Sequence, residues 1–217
     1  MLKISSFVGR LIGNRRFPLA LVLAAGLFPA SSGHAMDITV TASNSTVDGV
    51  TTSIPDLLTN PGSDLKVSLH EAVTACNNTA GADVIHFDPS LASTIIFCSG
   101  IVPTITETLT IDGEEQDITL DCDGASGTAV FTLGSGSSAS AIKSLSLINA
   151  SAGGIRIEST GNTIHQMVIY GNGASGIVID NQGGSGNNTI TACKIGTNGT
   201  TDFGNSGNGI SIVDSSN

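Results

Sequence analysis

The stretch NTIHQMVI at residues 162–169 returns as NTITACKI at residues 188–195. A second motif, GIRI at residues 154–157, returns as GIVI at 176–179 and as GISI at 209–212. Motifs that recur every roughly 20–50 residues are typical of stacked architectures, in which each unit buries its apolar face only against its neighbours. The repeats therefore predict a solenoid before any single residue is considered.

Alignment of residues 142–147 with the first motif places apolar residues in three columns. The columns are Ile142/Ile164/Ile190, Leu145/Met167/Cys193 and Leu147/Ile169/Ile195. Polar residues such as Lys143, His165 and Thr191 lie between them, as expected for stacked parallel strands whose side chains alternate between core and surface. Extra residues between the motifs fall in turns, chiefly in residues 196–208, which we name the insertion.

These features predict an all-β protein with a right-handed parallel β-helix fold, that is, a solenoid, with a short N-terminal capping helix. The 22 residues from Gly154 to Gly176 suit three short strands per rung. Leucine-rich repeats would show a Leu/Asn consensus, and propeller blades would be longer. Asparagines recur at turn positions as Asn162/Asn188 and Asn172/Asn198. They predict either ladders of hydrogen-bonded amides or ordinary turns that favour Asn.

Residues 1–35 have the features of a secretory signal peptide. The basic residues Lys3, Arg10, Arg15 and Arg16 precede an apolar run at residues 17–28. Gly33 and Ala35 then occupy the −3 and −1 positions of a cleavage site before Met36. Because the apolar run is short for a membrane span, cleavage is predicted, with a membrane anchor as the alternative. We expect residues 36–100 to form an N-terminal capping region and residues 101–217 to form the rungs.

The capping region contains a clear helix signal. Ser68 and Glu71 form a capping-box pattern, in which each side chain accepts a hydrogen bond from the backbone of the other residue. Leu69, Ala72, Val73 and Cys76 then give the helix one apolar face. Short strands are predicted at residues 37–41, 84–87 and 94–98, with a turn at residues 88–90 between the last two.

Charge and cysteine content limit the possible partners and bonds. Removal of the leader would leave four basic residues against eighteen acidic ones, so no nucleic-acid partner is expected. The four cysteines, Cys76, Cys98, Cys122 and Cys193, allow three disulfide pairings in an exported protein. We favour Cys76–Cys98, because that bond would tie the capping region to the first strands. No CxxC spacing indicates a zinc site.

Several segments resemble a known family. Residues 66–73 (KVSLHEAV), 82–91 (ADVIHFDPSL) and 109–113 (LTIDG) resemble the N-terminal region of CSLREA-type secreted β-helix proteins of the pectate-lyase-like superfamily. Residues 195–200 and 204–210 resemble repeats found downstream in the same bacterial surface proteins. Val67 stands where the signature has Cys, and His70 where it has Arg. The resemblance implies a secreted or surface β-helix, often part of a long adhesin-like protein, without a shared set of catalytic residues.

The parallel β-helix also hosts pectin lyases and polygalacturonases, so catalytic residues need consideration. A lyase of that kind uses carboxylates to hold calcium and an Arg or Lys to abstract a proton. After the leader, the only basic residues are Lys66, Lys143, Arg156 and Lys194. We expect Arg156 and Lys143 to point outward with no acidic cluster at rung spacing. Glu158 also interrupts an Arg-Ile-Lys hydrolase signature. Solvated surface charge is the favoured interpretation.

Two groups of acidic residues are candidate metal sites. They are Asp121-Cys122-Asp123 and Asp112-Gly113-Glu114-Glu115. Paired carboxylates can bind calcium or act as an acid and a base. Asp beside Gly-rich turns more often accepts hydrogen bonds from the backbone, and we favour that interpretation. No catalytic, cofactor-binding or metal-binding residue is assigned.

Aromatic and histidine side chains complete the candidates. Carbohydrate-binding surfaces usually display aromatic rings, yet this chain has no Trp and one Tyr. Tyr170 precedes a turn, and Phe203 in the insertion is expected either to be exposed or to pack against the coil. His165 is expected to be exposed. His70 and His86 lie near the helix cap, with no Ser or Cys partner recognisable by spacing.

The sequence favours an exported, non-catalytic β-helix that acts in surface adhesion, extracellular structure or recognition of a glycan or host-surface component. The alternative is a polysaccharide lyase or glycoside hydrolase acting on acidic polysaccharides. Either protein would be secreted or displayed on the cell surface. The rungs are expected to be incomplete at the C-terminus, so the uncapped last rung is a candidate surface for self-association.

Overall fold

The computed structural model describes residues 33–98, 102–124, 127, 129–180 and 186–213. The helices are α1 (Ile54–Thr59) and α2 (Leu69–Asn77), and Pro89–Leu91 forms a turn of 3-10 helix. The strands are β1 (Asp37–Val40), β2 (Asp83–Phe87), β3 (Ile95–Phe97), β4 (Leu109–Asp112), β5 (Ile118–Asp121), β6 (Ala129–Leu133), β7 (Ala141–Lys143), β8 (Leu145–Ile148), β9 (Gly153–Ile157), β10 (Thr163–His165), β11 (Val168–Tyr170), β12 (Ile177–Asp180), β13 (Thr189–Thr191), β14 (Lys194–Ile195) and β15 (Ile210–Val213).

These strands form three parallel sheets. Sheet 1 has the order β1-β2-β4-β7-β10-β13, sheet 2 the order β14-β11-β8-β5-β3, and sheet 3 the order β15-β12-β9-β6. From β4 onward the chain visits sheets 1, 2 and 3 in turn, which gives four complete rungs. β2 and β3 belong to a partial rung before them. The predicted parallel β-helix is therefore confirmed.

The strand registers confirm the repeat alignment. Ile164 pairs with Ile142 on one side and with Ile190 on the other. Ile169 pairs in the same way with Leu147 and Ile195. The recurring isoleucines of GIxI are also in register, since Ile177 lies between Ile155 and Ile210. These columns fill the interior of the solenoid, which is why the apolar residues recur once per rung.

From β4 onward, each corner of the solenoid contains at least one residue with positive φ. The corner between sheets 1 and 2 uses Ser144, Gln166 and Ala192 on successive rungs. The corner between sheets 2 and 3 uses Asn149, Gly171 and Gly196, and the return to sheet 1 uses Ala139, Gly161 and Asn187. Left-handed backbone angles favour Gly and Asn. This geometry explains why Gly and Asn recur at the other two corners, whereas the corner between sheets 1 and 2 adopts positive φ without either residue.

Side-chain amides form ladders along the solenoid axis. The Asn162 side chain is fully buried, and its Oδ1 accepts a hydrogen bond from Ser140 N at 3.0 Å. Asn188 Oδ1 in turn accepts from Asn162 N at 2.8 Å and from Asn162 Nδ2 at 3.0 Å. The first predicted Asn pair is thus a true ladder. Each amide satisfies a buried backbone donor of the preceding rung.

The second predicted Asn pair, Asn172 and Asn198, does not form a ladder. Asn172 stacks with Asn205, whose Oδ1 accepts from Asn172 N at 3.1 Å and from Asn172 Nδ2 at 3.0 Å. Asn198 instead lies in the exposed part of the insertion, where its Oδ1 accepts from the backbone of Thr200 and Thr201. Even spacing predicts Asn198 as the partner of Asn172. The insertion moves this partner seven positions further along the chain, to Asn205.

Most of the helices and strands predicted for the N-terminal residues are present in the structure. The predicted capping box is present at the start of α2, and α2 packs against β1 and β2 of sheet 1. The predicted strands at the N-terminus appear as β1, β2 and β3. Helix α1, which packs on α2, was not predicted. It begins after Ser53, whose side chain accepts from Asp56 N, and it has Pro55 in its first turn.

The favoured disulfide is wrong. Cys98 bonds to Cys122, and their Cα atoms are 4.5 Å apart because Phe97 and Asp121 are partners on β3 and β5. The bond therefore joins two neighbouring rungs of sheet 2. Cys76 is a free, buried thiol, and burial together with the charge of Asp83 raises its pKa to about 12. Cys193, expected inside the core, is a free thiol that is half-buried.

The last rung exposes apolar side chains. Ile210, Ile212 and Val213 of β15 are 44, 71 and 43 % exposed, and Ile190 and Ile195 are half-buried at positions where earlier rungs are fully buried. Most of the predicted signal peptide lies outside the described residues. Within the described part of the chain, no helix is both long and apolar enough to cross a membrane.

Candidate functional site

The insertion between β14 and β15 is held in a defined shape by its own hydrogen bonds. A bridge pairs Thr197 with Asp202 in antiparallel fashion, and the Thr197 hydroxyl donates to Thr201 O at 2.7 Å. Phe203 N and Gly204 N both donate to Gly196 O, at 3.0 and 2.8 Å. The insertion is therefore a small, closed loop whose polar groups are largely paired internally.

The second half of the insertion folds onto the shorter corner of the preceding rung. Gly171 N donates to Gly204 O, and Ser206 N donates to Asn172 O at 2.8 Å. Asn205 also donates from its amide to Ile169 O at 3.2 Å, in addition to accepting from Asn172. These bonds fix the loop to the body of the solenoid. Side chains of the loop therefore have a rigid support.

An aromatic pair lies at this junction. The rings of Tyr170 and Phe203 stack with centroids 5.0 Å apart and an angle of 25° between their planes. Phe203 remains 54 % exposed, so it packs against the coil and also faces solvent. Both expectations for this residue are met in part. A groove of about 230 Å³ runs beside the pair, lined by Phe203, the backbone of the 171–172 corner and residues 204–206.

A second candidate site lies on the outer face of sheet 3. Arg156 donates from Nε to Glu158 Oε1 at 2.5 Å and from Nη2 to Asp180 Oδ2. Asp180 is 5 % exposed, and together with Ser135 these residues line a depression of about 310 Å³. The sequence predicts no acidic cluster beside Arg156 at rung spacing, but the structure places Glu158 and, on the next rung, Asp180 against its guanidinium. The guanidinium and the two carboxylates form a structural ion network. Because both contacts hold the guanidinium in its charged form, Arg156 is not poised to abstract a proton.

Asp180 was missed as a partner of Arg156, although the sequence contains the signal. Aligning GIRI with GIVI places Asp180 one rung from Glu158, at the same position of the next strand. Both carboxylates therefore lie on the outer face of sheet 3, next to the Arg156 side chain. The acids do not form a cluster in the sequence, because each rung contributes only one of them.

Lys143 also has an acidic partner on the neighbouring rung. It is the register partner of Asp112 on sheet 1, and its Nζ lies 2.6 Å from Asp112 Oδ2. Burial opposes ionisation of Asp112, but the hydrogen bonds from Lys143 and Glu114 N, together with the charges of Lys143 and His86, outweigh burial and lower the pKa of Asp112 below its usual value. The half-exposed pair is a surface ion pair and contributes little to stability.

The histidines do not form a catalytic arrangement. His86 Nδ1 contacts Glu114 Oε1, and His165 Nδ1 lies 2.9 Å from Thr191 Oγ1. His165 is half-buried rather than fully exposed. His70 on α2 is partly buried, and this burial lowers its pKa although the neighbouring Glu71 charge opposes the shift. The contact of His165 joins an imidazole to the Thr191 hydroxyl on the neighbouring strand of sheet 1, but none of the contacts among the described residues supplies a third group that orients the His165 ring.

The two acidic groups are not brought together in one place. Asp121 accepts from the Asn149 amide at 3.2 Å, and Asp123 N donates to Asp121 Oδ1 at 3.3 Å. Asp112 Oδ1 accepts from Glu114 N at 2.9 Å in the same turn-forming manner. Among the residues that the structure describes, no group of three or more His, Cys, Asp or Glu side chains is placed to hold a metal ion.

Comparisons with protein-family models, curated proteins and solved structures found no match. The strand registers make the chain a parallel β-helix. The aromatic pair between Tyr170 of β11 and Phe203 of the insertion is the surface feature that departs most from the regular rungs.

Proposed function

We propose that the protein is an exported, non-catalytic β-helix that recognises a glycan through the insertion, at the cell surface or in the extracellular space. The observation that carries this proposal is the stacked Tyr170–Phe203 pair, with its exposed ring beside a groove. Sugar rings present flat faces of C–H groups, which pack against aromatic rings and leave hydroxyls for polar partners. The resemblance to CSLREA-type surface proteins supports the same class of function.

The groove supplies one exposed polar partner, the Ser206 hydroxyl. The backbone N–H groups of residues 171, 172, 204 and 206, which border the groove, already donate within the protein. The rigid attachment of the loop lowers the entropic cost of binding, because few groups must be ordered. The chain after the leader has eighteen acidic and four basic residues, which disfavours polyanionic glycans. We therefore propose a neutral oligosaccharide as the ligand class.

Phe203→Ala is expected to weaken binding of a neutral oligosaccharide at least tenfold, or about 1.4 kcal/mol. The physical reason is loss of the exposed ring face and of the stack that orients Tyr170. The wild-type protein is first screened against cello-, manno-, xylo- and chito-oligosaccharides, and the variant is then measured by calorimetry on the best ligand. Phe203→Tyr keeps the ring and is expected to retain binding.

Phe97→Ala is the matched control for this experiment. Phe97 is 59 % exposed, similar to Phe203, but it lies on β3, the far edge strand of sheet 2. Its removal is expected to leave the affinity unchanged. Failure of the wild-type protein to bind any member of the panel would contradict the proposal, as would an equal loss for both Phe variants.

The competing hypothesis is a polysaccharide lyase or glycoside hydrolase. The depression at Arg156, with its two carboxylates, is the surface on which such chemistry would have to take place. The ion network argues against it, as described above. Release of reducing ends or unsaturated products from pectin or alginate, lost in Arg156→Ala, would overturn the non-catalytic proposal.

We also propose that the face of the last rung associates with a second copy of the chain. β13, β14 and β15 are edge strands of the three sheets, and Ile212 is 71 % exposed on this face. Ile212→Lys is expected to abolish concentration-dependent dimerisation in sedimentation velocity. Leu65→Lys, which changes a residue 78 % exposed before α2, is the control and should leave dimerisation intact. A wild-type protein that stays monomeric at high concentration would contradict this proposal.

A further inference from the structure

A buried carboxylate lies at the start of sheet 1. Asp83 is the first residue of β2 and is 1 % exposed. Its Oδ1 accepts one hydrogen bond, from Met36 N at 2.9 Å. Its Oδ2 is buried and has no hydrogen-bond partner within the described residues. A buried carboxylate with one donor and no positive partner is costly, so this arrangement needs an explanation.

The charges around Asp83 make its isolation more severe. Burial raises the pKa of Asp83; the Met36 N–H opposes this rise, while the charges of Glu107 and Asp37 add to it. No Lys, Arg or His of the described part of the chain forms an ion pair with Asp83. The site therefore lacks a cation, and the nearest donor is one backbone nitrogen.

That nitrogen belongs to the residue after the predicted cleavage site. Cleavage between Ala35 and Met36 would replace the peptide N–H by an α-ammonium group with three donors. Met36 is already held in place, because its carbonyl accepts from Val84 N at 2.9 Å and its side chain packs against the core. His34 and Ala35, on the leader side of this bond, are exposed.

We propose that the chain is processed before Met36 and that the new α-ammonium group forms a buried ion pair with Asp83, which locks the first strand of the solenoid. In the hydrolysis, water supplies a hydroxyl to the Ala35 carbonyl carbon and a proton to the Met36 nitrogen, as the C–N bond breaks. The new Ala35 carboxyl group then loses its proton, and the Met36 amine gains one to become the ammonium. A signal peptidase would catalyse this step. The ammonium then donates to Oδ1 and reaches the unpaired Oδ2.

This inference rests on the proposed export of the protein and does not depend on the proposed glycan binding. An ammonium at this position turns an unpaired buried charge into a hydrogen-bonded pair, whose disruption is strongly destabilising. β1 is the edge strand of sheet 1, and without this pair its start is held by backbone hydrogen bonds to β2 and by the single bond from Met36 N to Asp83. The pair would thus couple removal of the leader to final stabilisation of the N-terminal rung.

The test begins with the full chain, expressed with its own leader in a bacterial host that exports proteins. N-terminal sequencing of the product is expected to start at Met36. The second variant carries one Ser inserted between Ala35 and Met36, so that its processed form keeps a peptide N–H at Met36. Asp83→Asn is then made in both chains, and unfolding equilibrium constants are compared.

In the natural chain, Asp83→Asn is expected to shift the unfolding equilibrium at least tenfold toward the unfolded state. In the Ser-inserted chain the same change is expected to have no effect or to stabilise, because it removes an unpaired buried charge. Asp37→Asn, at an exposed neighbouring acid, controls for general relief of negative charge and should behave alike in both chains. An N-terminus other than Met36, or equal effects of Asp83→Asn in both chains, would overturn the inference. Both outcomes are separate from the Phe203 binding assay.

Discussion

Glu71→Gln is expected to lower the free energy of unfolding by about 3 kcal/mol. The Glu71 side chain is 1 % exposed and accepts four hydrogen bonds. Oε1 accepts from Asp48 N at 2.8 Å and from Gly49 N at 2.7 Å. Oε2 accepts from Ser68 N at 2.9 Å and from Ser68 Oγ at 3.0 Å. Gln replaces one acceptor by an NH₂ group. In the place of Oε1 this group leaves Asp48 N and Gly49 N unpaired; in the place of Oε2 it can donate to the Ser68 hydroxyl but leaves Ser68 N unpaired.

Chemical denaturation followed by far-UV circular dichroism measures this effect, since the chain has no Trp to report on folding. Glu115→Gln is the matched control, because Glu115 is exposed and its contact to the Gln166 amide is long, at 3.5 Å. We expect that control to stay within about 0.5 kcal/mol of the wild type. A loss below about 1 kcal/mol for Glu71→Gln would show that the loop at residues 48–49 moves to satisfy its own donors.

The hydrogen bonds of Glu71 include some that the sequence predicts and some that it does not. The bonds to Ser68 follow from a local pattern of four residues, so the capping box was predictable. The bonds to Asp48 and Gly49 span 23 and 22 residues and depend on the path of an irregular loop. No periodicity or propensity encodes that path. The role of Glu71 in joining the loop to α2 therefore becomes visible only in the structure.

The rungs were predictable because the same side chains pack in the same place on each turn. An isoleucine at position 142, 164 or 190 meets its equivalents above and below, so one register sets the next. The Asn172 error marks the limit of this reasoning. Asn162 to Asn188 is 26 residues, and the same spacing from Asn172 reaches Asn198. The structure pairs Asn172 with Asn205 because part of the insertion precedes the ladder position.

The disulfide error has a different physical cause. Cys98 and Cys122 are neighbours only because β3 lies beside β5 in sheet 2. The segment that contains β3 does not match the later motifs, so repeat alignment could not assign its register. The aromatic stack was out of reach for a similar reason. Tyr170 and Phe203 were each identified as ring candidates, but their contact depends on how the insertion folds back over the preceding corner.

Gly154→Ala is expected to lower the free energy of unfolding by about 3 kcal/mol, and Gly176→Ala by a similar amount. A Cβ atom at Gly154 would lie 2.5 Å from Gly176 O and 2.6 Å from Ile169 Cγ2. At Gly176 it would lie 2.6 Å from Ile195 Cγ2 and 2.8 Å from Gly209 O. One of the two obstacles is backbone in each case, so neighbouring rungs would have to separate. This steric limit explains why the GIxI motif begins with Gly.

The third glycine of the same motif provides an internal control. A Cβ atom at Gly209 would meet only Ile195 Cγ2, at 3.6 Å, which is ordinary van der Waals contact. Gly209→Ala is therefore expected to change stability by about 0.5 kcal/mol or less, as is Gly186→Ala, where the space is open. Thermal and chemical unfolding of the four variants measure the contrast. Equal losses at Gly154 and Gly209 would contradict close stacking of the rungs as the reason for glycine, since neither residue has a positive φ, whereas the predicted contrast would support it.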